Sequence, residues 1–78
     1  MKLRYTNNFE LLTAKELAPY KKYRVVEIGS TIESCVPLAV GDICRIVDSH
    51  SGCLNILRTA KQYYFERYGN TLFEEVID

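Results

Sequence analysis

The sequence predicts a mainly β fold: a small five-stranded antiparallel barrel preceded by a short helical turn. Three observations carry this. Lys22–Ile28 (Lys-Tyr-Arg-Val-Val-Glu-Ile) is rich in aromatic and β-branched residues, which suit a pleated, half-buried surface. Ile43–Val47 alternates, placing Cys44 and Ile46 on one face and Arg45 on the other. Turn residues punctuate these runs at Gly29-Ser30, Gly41-Asp42 and Asp48-Ser49-His50-Ser51-Gly52.

Taken in order, the first element is either Leu3–Tyr5 or the Phe9–Leu12 stretch. Thr13-Ala14-Lys15-Glu16 has the Thr and Glu spacing of a capping box, so a short helical turn starts there. Pro19 is expected to end it, because the ring removes a donor and restricts Ala18. Strand one is Lys22–Ile28. Thr31–Leu38 contains Pro37 and lacks periodicity, which makes it a long loop or irregular hairpin. Strand two is Ile43–Val47, and after the polar hairpin strand three returns over Cys53–Leu57.

The last third reads two ways. Cys53, Leu54, Leu57, Ala60, Tyr64, Phe65 and Tyr68 recur at helical spacing with Gly69 behind them, which suits an α+β alternative with a helix over residues 53–68. The hairpin signal ahead of Cys53 and the cluster Tyr63-Tyr64-Phe65 favour strands, and the strand reading is preferred. Leu72–Val76 follows as the final strand.

The chain has 78 residues, 47% hydrophobic and 26% charged, too apolar for a disordered tail and short enough to be a single domain over residues 1–78. A chain of this size buries only about 60% of its unfolded surface, leaving little room for a deep catalytic cleft. Ten Lys and Arg balance ten Asp and Glu, so no global field draws in nucleic acid or an anionic membrane. The first 24 residues nevertheless carry six Lys and Arg against two Glu, a basic end most simply read as a solvated rim. Cys35, Cys44 and Cys53 are odd in number, which suits a reduced compartment, and no apolar stretch has the form of a signal peptide or a membrane span. A cytoplasmic protein is expected.

The succession of a strand ending near Ile28, an irregular loop, Val40-Gly41-Asp42-Ile43-Cys44-Arg45-Ile46-Val47, a tight hairpin, two further strands and Leu72-Phe73-Glu74-Glu75-Val76 resembles the Src-homology-three-like small barrels. The resemblance covers about Leu17 to Val76 and is one of fold. It implies kinship of form with the many small barrels of bacteriophage genomes. Peptide-binding members hold Pro-x-x-Pro segments in a groove that includes a tryptophan and carry an acidic loop. This chain has no Trp, and its Thr31–Leu38 loop offers only Glu33, so proline-peptide recognition is not implied.

Reactive chemistry finds little support. His50 and Cys53 form a lone His-x-x-Cys without the close ligand pairs of a zinc site, and Cys44 reads as a small buried hydrophobe. A Cys53 nucleophile with His50 as base would have only Asp48 nearby to orient it, in a polar turn. Glu74 and Glu75 are adjacent and point to opposite faces of a strand, which rules out their acting as an acid and base pair. Gly29, Gly41, Gly52 and Gly69 are isolated, so no phosphate-binding loop is present. Neither an enzyme nor a cofactor is expected.

Six Tyr and three Phe remain, and Tyr63, Tyr64 and Tyr68 cannot all face inward on one strand. Tyrosine is a rigid amphipathic anchor for protein interfaces. The expectation is a non-enzymatic protein-binding module, an inhibitor or adaptor that occludes a partner's surface, with Tyr20, Glu33, His50 and Tyr68 in loops as partner-binding residues. The rival is a nucleic-acid-binding barrel using Lys21, Lys22 and Arg24 with Tyr20 and Tyr23 as stacking platforms.

Overall fold

A computed structural model describes residues 10–47 and 52–77. Five strands, β1 (Lys22–Glu27), β2 (Ile43–Ile46), β3 (Cys53–Ile56), β4 (Lys61–Tyr64) and β5 (Leu72–Val76), make one antiparallel sheet in the order β4-β3-β2-β1-β5. Strands one to three end one residue earlier than the sequence suggested. The mainly β class is therefore observed, but the barrel is not: β4 and β5 lie at opposite edges of the sheet and do not pair. The reason lies in what occupies those edges. Leu12 bonds reciprocally with Phe73, N–H to carbonyl at 2.8 Å in each direction, so the outer side of β5 is already taken there. At the other edge, β4 runs directly into a 3-10 turn, Phe65–Tyr68, which carries the chain away from the sheet and inserts Tyr68 into the core.

The helix alternative over residues 53–68 is overturned. Leu54 and Ile56 are fully buried between half-buried neighbours, a period of two, and a turn over residues 57–60 reverses the chain into β4. Ala60 adopts φ 58° there and donates its N–H to the Ile56 carbonyl at 2.8 Å. Phe65 opens the 3-10 turn rather than extending a strand, and Gly69, at φ 59°, closes that turn. The helical spacing of the apolar residues thus came from two strands and a turn that all feed one core.

The first turn is a 3-10 helix over Ala14–Glu16. Glu16 reaches back as the capping-box pattern requires, its carboxylate accepting the Thr13 N–H at 2.8 Å and hydroxyl at 3.1 Å. The turn stops at Leu17, which is already extended, two residues before Pro19. Of the Phe9–Leu12 candidate residues 10–12 are described, and Leu12 among them forms an isolated bridge; the Leu3–Tyr5 candidate lies outside the described residues.

The core lies on the inner face of the sheet. Tyr23 and Val25 of β1 meet Cys44 and Ile46 of β2, Leu54 and Ile56 of β3, and Phe73 of β5, with Tyr68 edge-on to Phe73 at a centroid distance of 6.2 Å. The long connection from β1 to β2 is fastened to the segment that precedes β5. Thr31 and Asn70 exchange hydrogen bonds at 2.8–3.1 Å, and the Gly29 N–H donates to Thr71 Oγ1 at 2.9 Å. Gly29 has no room for a side chain, since a Cβ would stand 2.4 Å from the Thr71 backbone nitrogen.

Candidate functional site

The four residues expected to contact a partner separate. Tyr20 is 86% exposed and sits in the left-handed region at φ 67°, an uncommon conformation for a bulky residue, on the turn that leads into β1. Glu33 is exposed on the long loop, where its carboxylate accepts Arg67 Nη1 at 2.6 Å and its N–H donates to the Arg67 carbonyl at 2.9 Å. Tyr68 is not a surface residue: it is fully buried, and its hydroxyl donates to the Leu54 carbonyl at 2.5 Å. Burial raises its pKa above the usual tyrosine range. The expectation that Tyr68 lies in an exposed loop is thereby corrected. His50 lies outside the described residues.

Tyr23, the second stacking platform of the nucleic-acid reading, is also buried, and its hydroxyl accepts the Ala18 N–H at 2.9 Å. Two of that reading's cations are engaged by β5 carboxylates. Arg24 pairs with Glu74, and Lys21 stands 3.6 Å from Glu75.

What the sheet presents outward was not visible from the sequence. Lys22 and Arg45 are register partners across β1 and β2, so two exposed cations stand directly opposite each other. Among the described residues neither makes an ion pair. The row continues to Val76 on one side and to Asn55 and Gln62 on the other, crossing all five strands. At ~4.8 Å per strand it spans about 19 Å. The pairing that generates it depends on loop lengths and strand order, which no local pattern displays.

Two open depressions meet over Lys22 and Val76. One, of about 390 Å³, is lined by Tyr20, Lys21, Arg45, Glu75 and Ile77; the other, of about 530 Å³, by Asp42, Ile43, Leu57 and Arg58. Asp42 is almost fully buried and held by Arg58, whose hydrogen bond is the main reason its carboxyl pKa falls below the usual value. The surface thus combines cations, aliphatic side chains and an exposed tyrosine. It contains no thiol or imidazole among the described residues.

Among the described residues no group of three or more His, Cys, Asp or Glu side chains is placed to hold a metal ion, and no helix is long and apolar enough to cross a membrane. Cys44 is completely buried, and burial pushes its thiol up to about 12, which keeps it protonated and unreactive at neutral pH. Compared with protein-family models, curated proteins and solved structures, the chain finds no match.

Proposed function

We propose that the protein is a non-enzymatic protein-binding module, an inhibitor or adaptor of the kind made by bacteriophages, that acts by covering a surface of its partner. The observation that carries this reading is Tyr20. A tyrosine held at φ 67° with 86% of its surface exposed spends conformational energy on presenting a ring to solvent. Its neighbours in the groove, Val76 and Ile77 beside Lys21, Lys22, Arg45 and Glu75, set aliphatic side chains next to charged ones, a mixture suited to a protein interface.

A Src-homology-three-like form is supported by the succession of elements: a strand, a long irregular connection, and three strands at short intervals before the last. The sheet is open where that family's barrel closes. Three free cysteines support the cytoplasm as the place of action.

The reading is tested by quantitative affinity capture from cells of the source organism with three baits: the wild type, Tyr20→Ser, and Lys15→Gln on the remote 3-10 turn. A protein retained by wild type and Lys15→Gln and lost by Tyr20→Ser is the expected outcome. Identical sets on all three baits would remove Tyr20 as the anchor and with it this reading.

A further inference from the structure

Like charges placed directly opposite on neighbouring strands repel, and sheets ordinarily set an acid against a base at such positions. β5 and β1 do so at Arg24 and Glu74. At Lys22 and Arg45 the chain does the reverse. The groove over this pair holds four cations, Lys21, Lys22, Arg45 and Arg58, against two acids, Asp42 and Glu75, and both acids are already engaged, by Arg58 and Lys21. Asn55 and Gln62 extend the row with further donors. Its flanks at Val76, Ile77, Ile43 and Leu57 are aliphatic.

Building on the protein-binding reading above, we propose that this groove takes an extended acidic segment of the partner, carboxylates over Lys22 and Arg45 and an apolar residue between Tyr20, Val76 and Ile77. Charge complementarity selects the acid, and the aliphatic flanks select a polypeptide. A phosphodiester strand would leave those flanks uncovered and, with Tyr23 buried, would find Tyr20 as the one ring lining the groove among the described residues. A second copy of the chain is a poor occupant, since the acids of β5, Glu74 and Glu75, are paired within their own chain, with Arg24 and Lys21.

The experiment is selection from a random peptide library on the immobilised protein, followed by fluorescence anisotropy with the most enriched peptide. The peptide is titrated against wild type, Lys22→Gln/Arg45→Gln, the charge-preserving Lys22→Arg/Arg45→Lys, and Tyr20→Ser, with labelled oligodeoxythymidylate titrated in parallel. Expected are sequences in which Asp or Glu alternates with apolar residues, affinity about tenfold weaker in the Gln double variant, and recovery in the charge-preserving one. Amide spectra of the variants confirm that they are folded. Enrichment of neutral or basic sequences whose binding fails with Tyr20→Ser would overturn the acidic class and leave the protein-binding reading standing. No enrichment at all would remove both. Tighter binding of oligodeoxythymidylate than of any peptide, lost in the Gln double variant, would assign the groove to a phosphate backbone instead.

Discussion

Asp42 and Arg58 meet in a two-point contact, Nε to Oδ1 at 2.7 Å and Nη2 to Oδ2 at 2.9 Å. The carboxylate also accepts the Ala39 N–H at 2.9 Å, and Arg58 Nη2 donates to the Pro37 carbonyl at 2.9 Å. One buried acid therefore ties the end of the long loop to the turn between β3 and β4. Asp42 and Arg58 line the larger of the two depressions of the outer face, so the integrity of the junction fixes that part of the groove's wall.

The junction makes stability depend on acid pH. The folded Asp42 carboxyl titrates below its ordinary value of 3.8, first because of the Arg58 hydrogen bond, with burial opposing and the Ala39 N–H adding to the fall. Stability from this group is thus present above the unfolded value and lost as pH falls through the lower folded one. Asp42→Asn should lower the urea midpoint near pH 7, and the gap between variant and wild type should narrow as pH falls below 3.8. A gap that stays constant with pH would show that the charge of Asp42 contributes nothing.

Thiol chemistry should divide the cysteines by burial. Cys44 is sealed in the core with its pKa raised to about 12, by burial first and by the Asp42 charge second, whereas Cys35 is exposed. Treating the folded protein with iodoacetamide near neutral pH should label Cys35 and leave Cys44 intact until denaturant is added, as read by peptide mass spectrometry. The linkage runs opposite to that of Asp42. Cys44 contributes stability below its ordinary value of 9.0 that is lost as pH rises from 9.0 toward about 12, because the unfolded thiol ionises first.

Tyr68 links the 3-10 turn to the sheet through one hydroxyl and two edge-on ring contacts, to Tyr63 at 6.3 Å and to Phe73 at 6.2 Å. Tyr68→Phe keeps the rings and removes the donor to the Leu54 carbonyl, for a loss of about 1 kcal/mol. Tyr68→Ala removes the plug itself and should cost about 3–5 kcal/mol. Urea unfolding of the two variants checks both. Equal losses would mean that the hydroxyl, not the ring, holds the turn.

The strands were legible because their signals are local. β-branched and aromatic runs bounded by turn residues located β1, β2, β3 and β5 to within a residue, the cluster Tyr63-Tyr64-Phe65 signalled β4 without giving its bounds, and the Thr13 and Glu16 pattern located the first turn. Closure was not legible, since it depends on Leu12 reaching the outer edge of β5, a contact 61 residues away in sequence. Tyr68 was misplaced because a 3-10 turn beside a glycine has the composition of an exposed loop, and only the position of the turn over the open sheet buries its ring. Tyr20 was placed correctly on a turn. The Lys22 and Arg45 pair was invisible in sequence because register, not composition, brings the two together.

Tyr20 offers the sharpest separation of stability from binding. The left-handed backbone costs a residue with a Cβ about 1–2 kcal/mol, which glycine escapes, while glycine gives back about 0.5–1 kcal/mol through its freer unfolded chain. With 86% of its surface exposed, the ring of Tyr20 loses little packing on removal. Tyr20→Gly should therefore leave the protein as stable as wild type or more stable by up to about 1.5 kcal/mol. Tyr20→Ala keeps the Cβ and the strain and should gain nothing. If the ring is the anchor of an interface, Tyr20→Gly should at the same time lose partner binding by at least about tenfold, the scale of an aromatic hot spot. A thermal melt and a binding titration on the same preparation decide the matter. Lost stability in Tyr20→Gly would show that the ring serves the fold, and unchanged binding would show that its exposure serves nothing.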